Sequence, residues 1–202
     1  MQEILLSGKH LTLVRGNRAI IRKHHIELFR TQAIHLKGEN GSGKTTLLQA
    51  LAGLSPLLAG KIDYHAPHLY LGHQSALQPY LSIRENLYYS ARMHHGLSEK
   101  ETQSALDFAL DALQLLSHQH REARYLSAGQ QHKVQLARLW LPKIPDIWLL
   151  DEPLTALDTT TSDLILKRID EHLSVGGGVI MTTHHAFQLP NHPLHPHALC
   201  SP

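Results

Sequence analysis

Short apolar runs alternate with helical stripes along this chain, and that alternation predicts a mostly parallel sheet covered by helices. Residues 4–14 and 19–29 read as strands of a small antiparallel layer, broken by a turn at Arg15-Gly16-Asn17-Arg18. Ala33-Ile34-His35-Leu36-Lys37 is a further short strand, and residues 45–52 read as a helix. Leu69-Tyr70-Leu71-Gly72 is an apolar strand leading into His73-Gln74. Over 81–141 the period turns helical. Ser82-Ile83-Arg84-Glu85 is a capping box, and Leu106, Leu110, Leu113 and Leu116 make one apolar stripe that reads as core packing. Residues 128–141 form another helix, ending before Pro142. Ile147-Trp148-Leu149-Leu150 is a buried strand, 163–173 a helix, and 178–183 the final strand.

The expected organisation is a single α/β domain over 1–202. Its sheet core spans about 1–74 and 142–189, its helical subdomain about 75–141, and 190–202 form a flexible tail. There is no repeat and no long linker.

Composition narrows the class. Hydrophobic residues make up 42% and charged residues 18%, the balance of a globular protein. A formal charge of +2 offers no basic stripe, so nucleic acid is not an expected partner. The N-terminus lacks a signal-peptide pattern, and no apolar run approaches the ~20 residues that span a bilayer. One cysteine, Cys200, excludes an internal disulfide and fits a reducing compartment, so a soluble cytoplasmic chain is expected. Histidine is abundant at 18 residues, with pairs at His24-His25, His94-His95 and His184-His185. His192, His195, His197 and Cys200 are competent metal or haem ligands. Pro190, Pro193, Pro196 and Pro202 among them argue instead for a mobile segment without fixed geometry.

Candidate chemistry centres on Gly38-Glu39-Asn40-Gly41-Ser42-Gly43-Lys44-Thr45, which fits the phosphate-binding loop G-x-x-x-x-G-K-[ST] between a strand and a helix. Backbone N–H groups wrap the phosphates of a nucleoside triphosphate, and the helix directs its N-terminal partial charge at them. Lys44 reaches the β- and γ-phosphates, Thr45 offers a hydroxyl to Mg²⁺, and Thr46 follows in the first turn. Asp151-Glu152, after the apolar strand, places two carboxylates at the edge where open α/β sheets hold ligands. Asp151 suits the Mg²⁺ shell, and Glu152 is placed to polarise an attacking water as general base. Leu126-Ser127-Ala128-Gly129-Gln130 begins a second helix that could bind phosphate; Ser127 also reads as a plain N-cap. Two anion-binding helix starts in one chain point to a dimer with shared sites.

In order, the phosphate loop, Gln74, Leu126-Ser127-Ala128-Gly129-Gln130, Leu149-Leu150-Asp151-Glu152-Pro153, Leu157-Asp158 and His184 resemble the nucleotide-binding subunit of an ATP-binding-cassette (ABC) transporter. The resemblance implies a P-loop NTPase of ABC type, and a head-to-tail dimer sandwiching two ATP molecules. Lys44 and Thr45 of one copy would then face Ser127 and Gly129 of the other. It also implies that Gln74 senses Mg²⁺ and the attacking water, Asp158 acts across the interface, and His184 contacts the γ-phosphate. Ala128, the run Ala137-Arg138-Leu139-Trp140-Leu141 and the short C-terminus after His184-His185 are similar to the haem-export ATPases of cytochrome c biogenesis. Membrane subunits of such a maturation complex, met through the segment 74–95, are the implied partners, at the cytoplasmic face of the inner membrane. Tyr80, Leu81, Arg84, Tyr88 and Tyr89 are the candidate contacts, Leu81 and Tyr88 reading equally as internal packing.

Two departures stand out. Cassettes place an aromatic residue near the end of the first strand, where this chain has Leu13-Val14-Arg15-Gly16, so Arg15 is the candidate to stack on the base. Ala128 stands where most cassettes have Gly. Other readings are an ATPase of another short ABC exporter, a soluble cassette ATPase acting on DNA or ribosomes, and a binding module without turnover. The single cassette without a heptad run weighs against the soluble ATPase, and the joint presence of Lys44, Thr45, Asp151, Glu152 and His184 against the binder.

Overall fold

A computed structural model of the chain describes residues 3–16, 18–73, 76–95, 97–142, 145–183 and 187–199. Gln74, His184, His185 and Cys200 lie outside the described residues. β1 (Ile4–Arg15) and β2 (Arg18–Phe29) pair antiparallel, with Arg15 opposite Arg18 at the turn. β4 (Ala59–Tyr64) joins the other edge of β1, giving a three-stranded layer in the order β2-β1-β4. β3 (Ala33–Lys37), β5 (His68–Leu71), β6 (Ile147–Asp151), β7 (Gly178–Thr182) and β8 (Leu194–Ala198) form a five-stranded parallel sheet in the order β5-β6-β7-β3-β8.

Every residue of β6 and β7 is buried, as central parallel strands require. α1 (Lys44–Leu51) packs between the two layers through Leu47, Leu48 and Leu51. One core thus joins Leu5, Leu11, Leu28, Ile34, Leu36, Leu149 and Ile180. Burial of this kind contributes roughly 25 cal/mol per Å² of apolar surface removed from water.

The tail departs from expectation. Residues 194–198 are not free chain but the edge strand β8, paired residue by residue with β3 from Ala33↔Leu194 to Lys37↔Ala198. The physical reason lies in β3, whose outer edge carries backbone groups that need partners. Pro196 is tolerated because an edge strand needs only half of its N–H groups in the ladder. Asp170, 4% exposed, anchors the preceding turn by accepting from Asn191 N (3.0 Å), Asn191 Nδ2 (2.7 Å) and His192 Nδ1 (2.9 Å). His197 meets His24, the two Nε2 atoms lying 2.8 Å apart. Burial, then the neighbouring His197 and His25, pushes His24 down to about 4. Among the described residues no group of three or more metal-ligating side chains is assembled.

The chain divides into two compact units. The first comprises Met1–His73, Pro145–Leu154 and Leu164–Pro202, and the second Gln74–Ile144 and Thr155–Asp163. The tail belongs to the first unit, and 155–163 belongs with the helices. In the second unit α2 (Ile83–His95), α3 (Glu99–Ala112) and α4 (Ala128–Leu136) surround Ile83, Leu87, Leu106, Leu110, Leu113 and Val134. Leu116, beyond the end of α3, is 38% exposed and leaves the apolar stripe. The helix expected to run from 128 to 141 ends at Leu136, tightening into a 3-10 turn over Ala137–Trp140. The last helix, α5 (Thr159–Ser174), starts four residues before the expected position 163. Asp158 caps it, accepting from Thr161 N at 2.8 Å and Thr161 Oγ1 at 3.0 Å.

Candidate active site

β3 delivers the chain into the loop 38–43, and α1 leaves it from Gly43, whose φ of 97° is the left-handed conformation that glycine adopts cheaply. No side chain caps α1 and its first turn holds no acid, so its N–H groups face an anion unopposed. A Cβ on Gly38 would lie 2.6 Å from Ser42 Oγ, so a side chain there would force Ser42 to shift within the loop. Lys44 is 9% exposed and donates to Gly38 O (2.8 Å) and Glu39 O (3.0 Å), which fixes its ammonium along the loop. One of its three N–H donors is left for a phosphate. Thr45 and the loop residues Glu39, Asn40 and Gly41 are exposed, while Thr46 is half-buried.

β7 lies between β3 and β6, so the loop and the acids leave the carboxyl ends of strands flanking one neighbour. Asp151 closes β6, 2% exposed. Its Oδ1 accepts from Thr182 Oγ1 at 2.7 Å, whereas its Oδ2 is buried without a partner. A buried carboxylate oxygen with spare lone pairs, together with the exposed Thr45 hydroxyl, is a donor set that fits a hard divalent cation. Glu152 follows with φ 55°, a conformation costing a non-glycine residue roughly 1–2 kcal/mol. Its N–H donates to the same Thr182 hydroxyl at 2.9 Å, which helps to hold that backbone. Tyr70 on β5 is also in this neighbourhood. Burial, followed by the charge of Asp151, pushes its hydroxyl above the ordinary value, and a hydrogen bond with Gln49 partly offsets this.

In the second unit Ser127 and Gln130 form a reciprocal capping box at the start of α4, Gln130 N to Ser127 Oγ at 3.2 Å and Ser127 N to Gln130 Oε1 at 3.0 Å. The hydroxyl proton of Ser127 takes no part in the box, so an exposed donor remains at this helix start. A Cβ on Gly129 would lie 3.0 Å from Ala156 O, which is why a side chain is hard to place there. Asp158 binds Lys133 Nζ at 2.9 Å. Lys133 first, then Thr161, holds its carboxyl well below the usual range.

The same unit carries a groove of about 290 Å³, lined by residues that include Leu77, Leu81, Tyr89, Ser90, Met93 and Arg138. Of the expected contacts, Tyr80 and Tyr89 are exposed. Arg84 and Tyr88 are not free for a partner. Arg84 is held by Asp107 (2.6 Å), Gln103 (2.6 Å) and Gln119 (2.7 Å), and the Tyr88 hydroxyl donates to Glu99 at 2.8 Å.

The phosphate loop, Asp151 and Glu152 thus belong to the first unit, while Ser127, Gly129, Gln130 and Asp158 belong to the second. Sequence reasoning missed Thr182, which touches both acids. Only the register Asp151↔Thr182 between parallel strands reveals it.

An ABC transporter family model matches residues 21–155. Curated relatives named cytochrome c biogenesis ATP-binding export protein CcmA are 37% identical in Sodalis glossinidius, covering 87% of this chain and 86% of the relative. The relative in Hyphomonas neptunium is 39% identical, covering 92% and 93%. Among solved structures, an ATP-binding subunit of an ABC transporter superposes with a TM-score of 0.80 at 25% identity, covering 89% of this chain and 79% of that one. A dimeric post-hydrolysis cassette bound to ADP and Pi superposes at 0.78, covering 90% and 88%; at 22% identity it bears on the fold alone. No helix among the described residues is long and apolar enough to cross a membrane. The chain therefore belongs to the ABC transporter family, as an ATP-binding, ATP-hydrolysing subunit related to the CcmA proteins.

Proposed function

We propose that this chain drives a haem-export, cytochrome c maturation complex from the cytoplasmic face of the inner membrane, as a head-to-tail dimer that closes on ATP and reopens after hydrolysis. The observation that carries the catalytic part is the shared origin of the phosphate loop and the Asp151–Glu152 pair, at the carboxyl ends of strands flanking β7.

The backbone of 38–43, the uncapped start of α1 and the Lys44 ammonium bind the phosphates. Thr45, Asp151 and Gln74 would hold Mg²⁺, which would supply positive charge to offset the negative charge developing on the phosphates. Glu152 orients a water and takes its proton as the water attacks the γ-phosphorus. The bond from that phosphorus to the β–γ bridging oxygen breaks, ADP leaves with that oxygen and inorganic phosphate forms. His184 is the residue expected to contact the γ-phosphate. Thr182 holds both carboxylate-bearing residues in place. Ser127, Gly129 and Gln130 of the second copy close the site from the other side, with Asp158 at the interface. The groove lined by Leu81, Tyr89 and Met93 meets the membrane subunits.

The test is co-purification of the membrane-embedded complex through a tag on this chain, followed by ATP turnover of wild type and Glu152→Gln. Turnover is expected to fall roughly 10²–10⁴-fold with ATP retained in a trapped dimer. Equal turnover in the two forms, or no membrane subunit in the purified material, would sink the proposal.

A further inference from the structure

Burying an ion without a counter-ion is among the costlier arrangements in a folded protein, so an unpaired buried charge needs an explanation. Arg138, half-buried on the 3-10 turn Ala137–Trp140, comes close to such a case. Its Nε is buried and hydrogen-bonded to nothing, and burial alone pulls the guanidinium below its ordinary value. Arg138 lines the 290 Å³ groove of the second unit, and no acidic residue is among the residues that line it. Ser90, on α2, lines the same groove, and its Oγ is likewise buried without a partner. That is unusual in its own right, because a helical serine commonly satisfies itself on the carbonyl four residues back. Arg138 Nε and Ser90 Oγ, one on a cationic and one on a neutral side chain, therefore border one cavity, together with the polar side chains of Gln78, Asn86 and Gln135. Around them Leu77, Leu81, Tyr89 and the 76%-exposed Met93 supply an apolar, adaptable wall.

We infer that this groove reads a carboxylate. Its occupant is a short segment of the membrane partner that carries an Asp or Glu beside an apolar side chain. The carboxylate pairs with the Arg138 guanidinium and accepts the Ser90 hydroxyl proton, while the apolar neighbour packs on Leu81, Tyr89 and Met93. Charge complementarity selects this occupant. A purely apolar segment would bury Arg138 further without a counter-ion, and a basic one would add like charge in a low-dielectric cavity. Arginine suits the task better than lysine would, since its planar fork meets a carboxylate with two parallel bonds. The inference rests on the proposed membrane partnership and specifies its chemistry.

The experiment is tagged co-purification of the membrane complex with wild type, Ser90→Ala, Arg138→Gln and Arg138→Glu. It is combined with a scan replacing each Asp and Glu in the cytoplasmic loops of the co-purified subunits by Lys. Arg138→Gln should weaken recovery of the complex about tenfold or more, as loss of one partner of a buried charge pair does. Ser90→Ala should weaken it less, and one acid-to-Lys change should restore assembly specifically with Arg138→Glu. Urea unfolding of each isolated chain separates loss of docking from loss of folding. If Arg138→Gln and Arg138→Glu assemble as wild type does, or Arg138→Glu folds and no acid-to-Lys change rescues it, the carboxylate inference is overturned while the membrane partnership stands. If wild type itself brings down no membrane subunit, the partnership fails and the inference with it.

Discussion

The Thr182 hydroxyl lies 2.7 Å from Asp151 Oδ1, donating to it across adjacent parallel strands, and the same oxygen accepts the Glu152 N–H at 2.9 Å. A fully buried hydroxyl thus sets the rotamer of one acid and the backbone of the other. Thr182→Val keeps the shape but leaves a carboxylate oxygen and an N–H unsatisfied. We expect a loss of stability of about 1–3 kcal/mol. ATP turnover should fall at least about tenfold, since misplaced catalytic groups cost rate steeply. Thr182→Ser keeps the hydroxyl and should recover most of the turnover. Urea unfolding and steady-state ATPase of all three forms check this, and a Val variant as active as the Ser variant would remove Thr182 from the positioning role.

Ser127 has one structural and one proposed nucleotide-binding duty, and substitution separates them. Ser127→Ala loses the cap at the start of α4, expected to cost ~1 kcal/mol. Ser127→Asn restores a side-chain acceptor to Gln130 N and should regain that stability. It should not regain turnover, because the hydroxyl donor proposed to meet the second copy's nucleotide is gone. Thermal melts and ATPase assays of the two variants decide. Full activity in Ser127→Asn would reduce Ser127 to a cap.

Much of this was legible in the sequence because strong local rules coincide there. The strand–loop–helix at 33–52 and the apolar run into Asp151 each combine periodicity, glycine placement and charge. The elements that stayed hidden lack such agreement. β4 is exposed or half-buried along its length, so Ala59–Tyr64 shows no apolar alternation and exists through pairing with β1. β8 contains Pro196 and two histidines, and its register comes from β3 rather than from its own propensity. The start of α5 is masked by Thr159, Thr160 and Thr161, weak helix formers that depend on the Asp158 cap. Arg138 and Ser90 read as ordinary helical residues until both are seen to line one groove.

Gly177 is required by packing. A Cβ there would lie 2.1 Å from His172 Nε2, and His172 cannot readily yield. Its ring stacks on Trp148 with centroids 3.8 Å apart and planes 6° from parallel, while Nε2 meets Asp146 O at 3.0 Å. Gly177→Ala must therefore push the imidazole off the indole or strain the turn before β7. We expect a loss of about 2–3 kcal/mol, the upper part of the range for overpacking, read as a lower urea midpoint. The double variant Gly177→Ala with His172→Ala should recover part of it, because the clash partner is gone. Gly177→Ala alone at wild-type stability would show that the stack gives way freely.

His172 also makes stability pH-dependent. Burial holds it at about 4 against an ordinary 6.5, so the folded form stays neutral where the unfolded chain is already protonated. Its contribution is complete above pH 6.5 and is lost as pH falls from there towards 4, because the unfolded state binds the extra proton over that interval. Between pH 7 and 4.5 that loss should be about 2 kcal/mol. His172→Phe keeps an aromatic ring against Trp148 and removes the titration. The variant is expected to be less stable than wild type at pH 7, having lost the bond to Asp146 O, yet to have a shallower decline in acid. His24, also pushed down, titrates in both forms and cancels in the comparison. Urea unfolding at a series of pH values measures the difference between the two slopes, and parallel slopes would mean that His172 is not the group that the folded state keeps neutral.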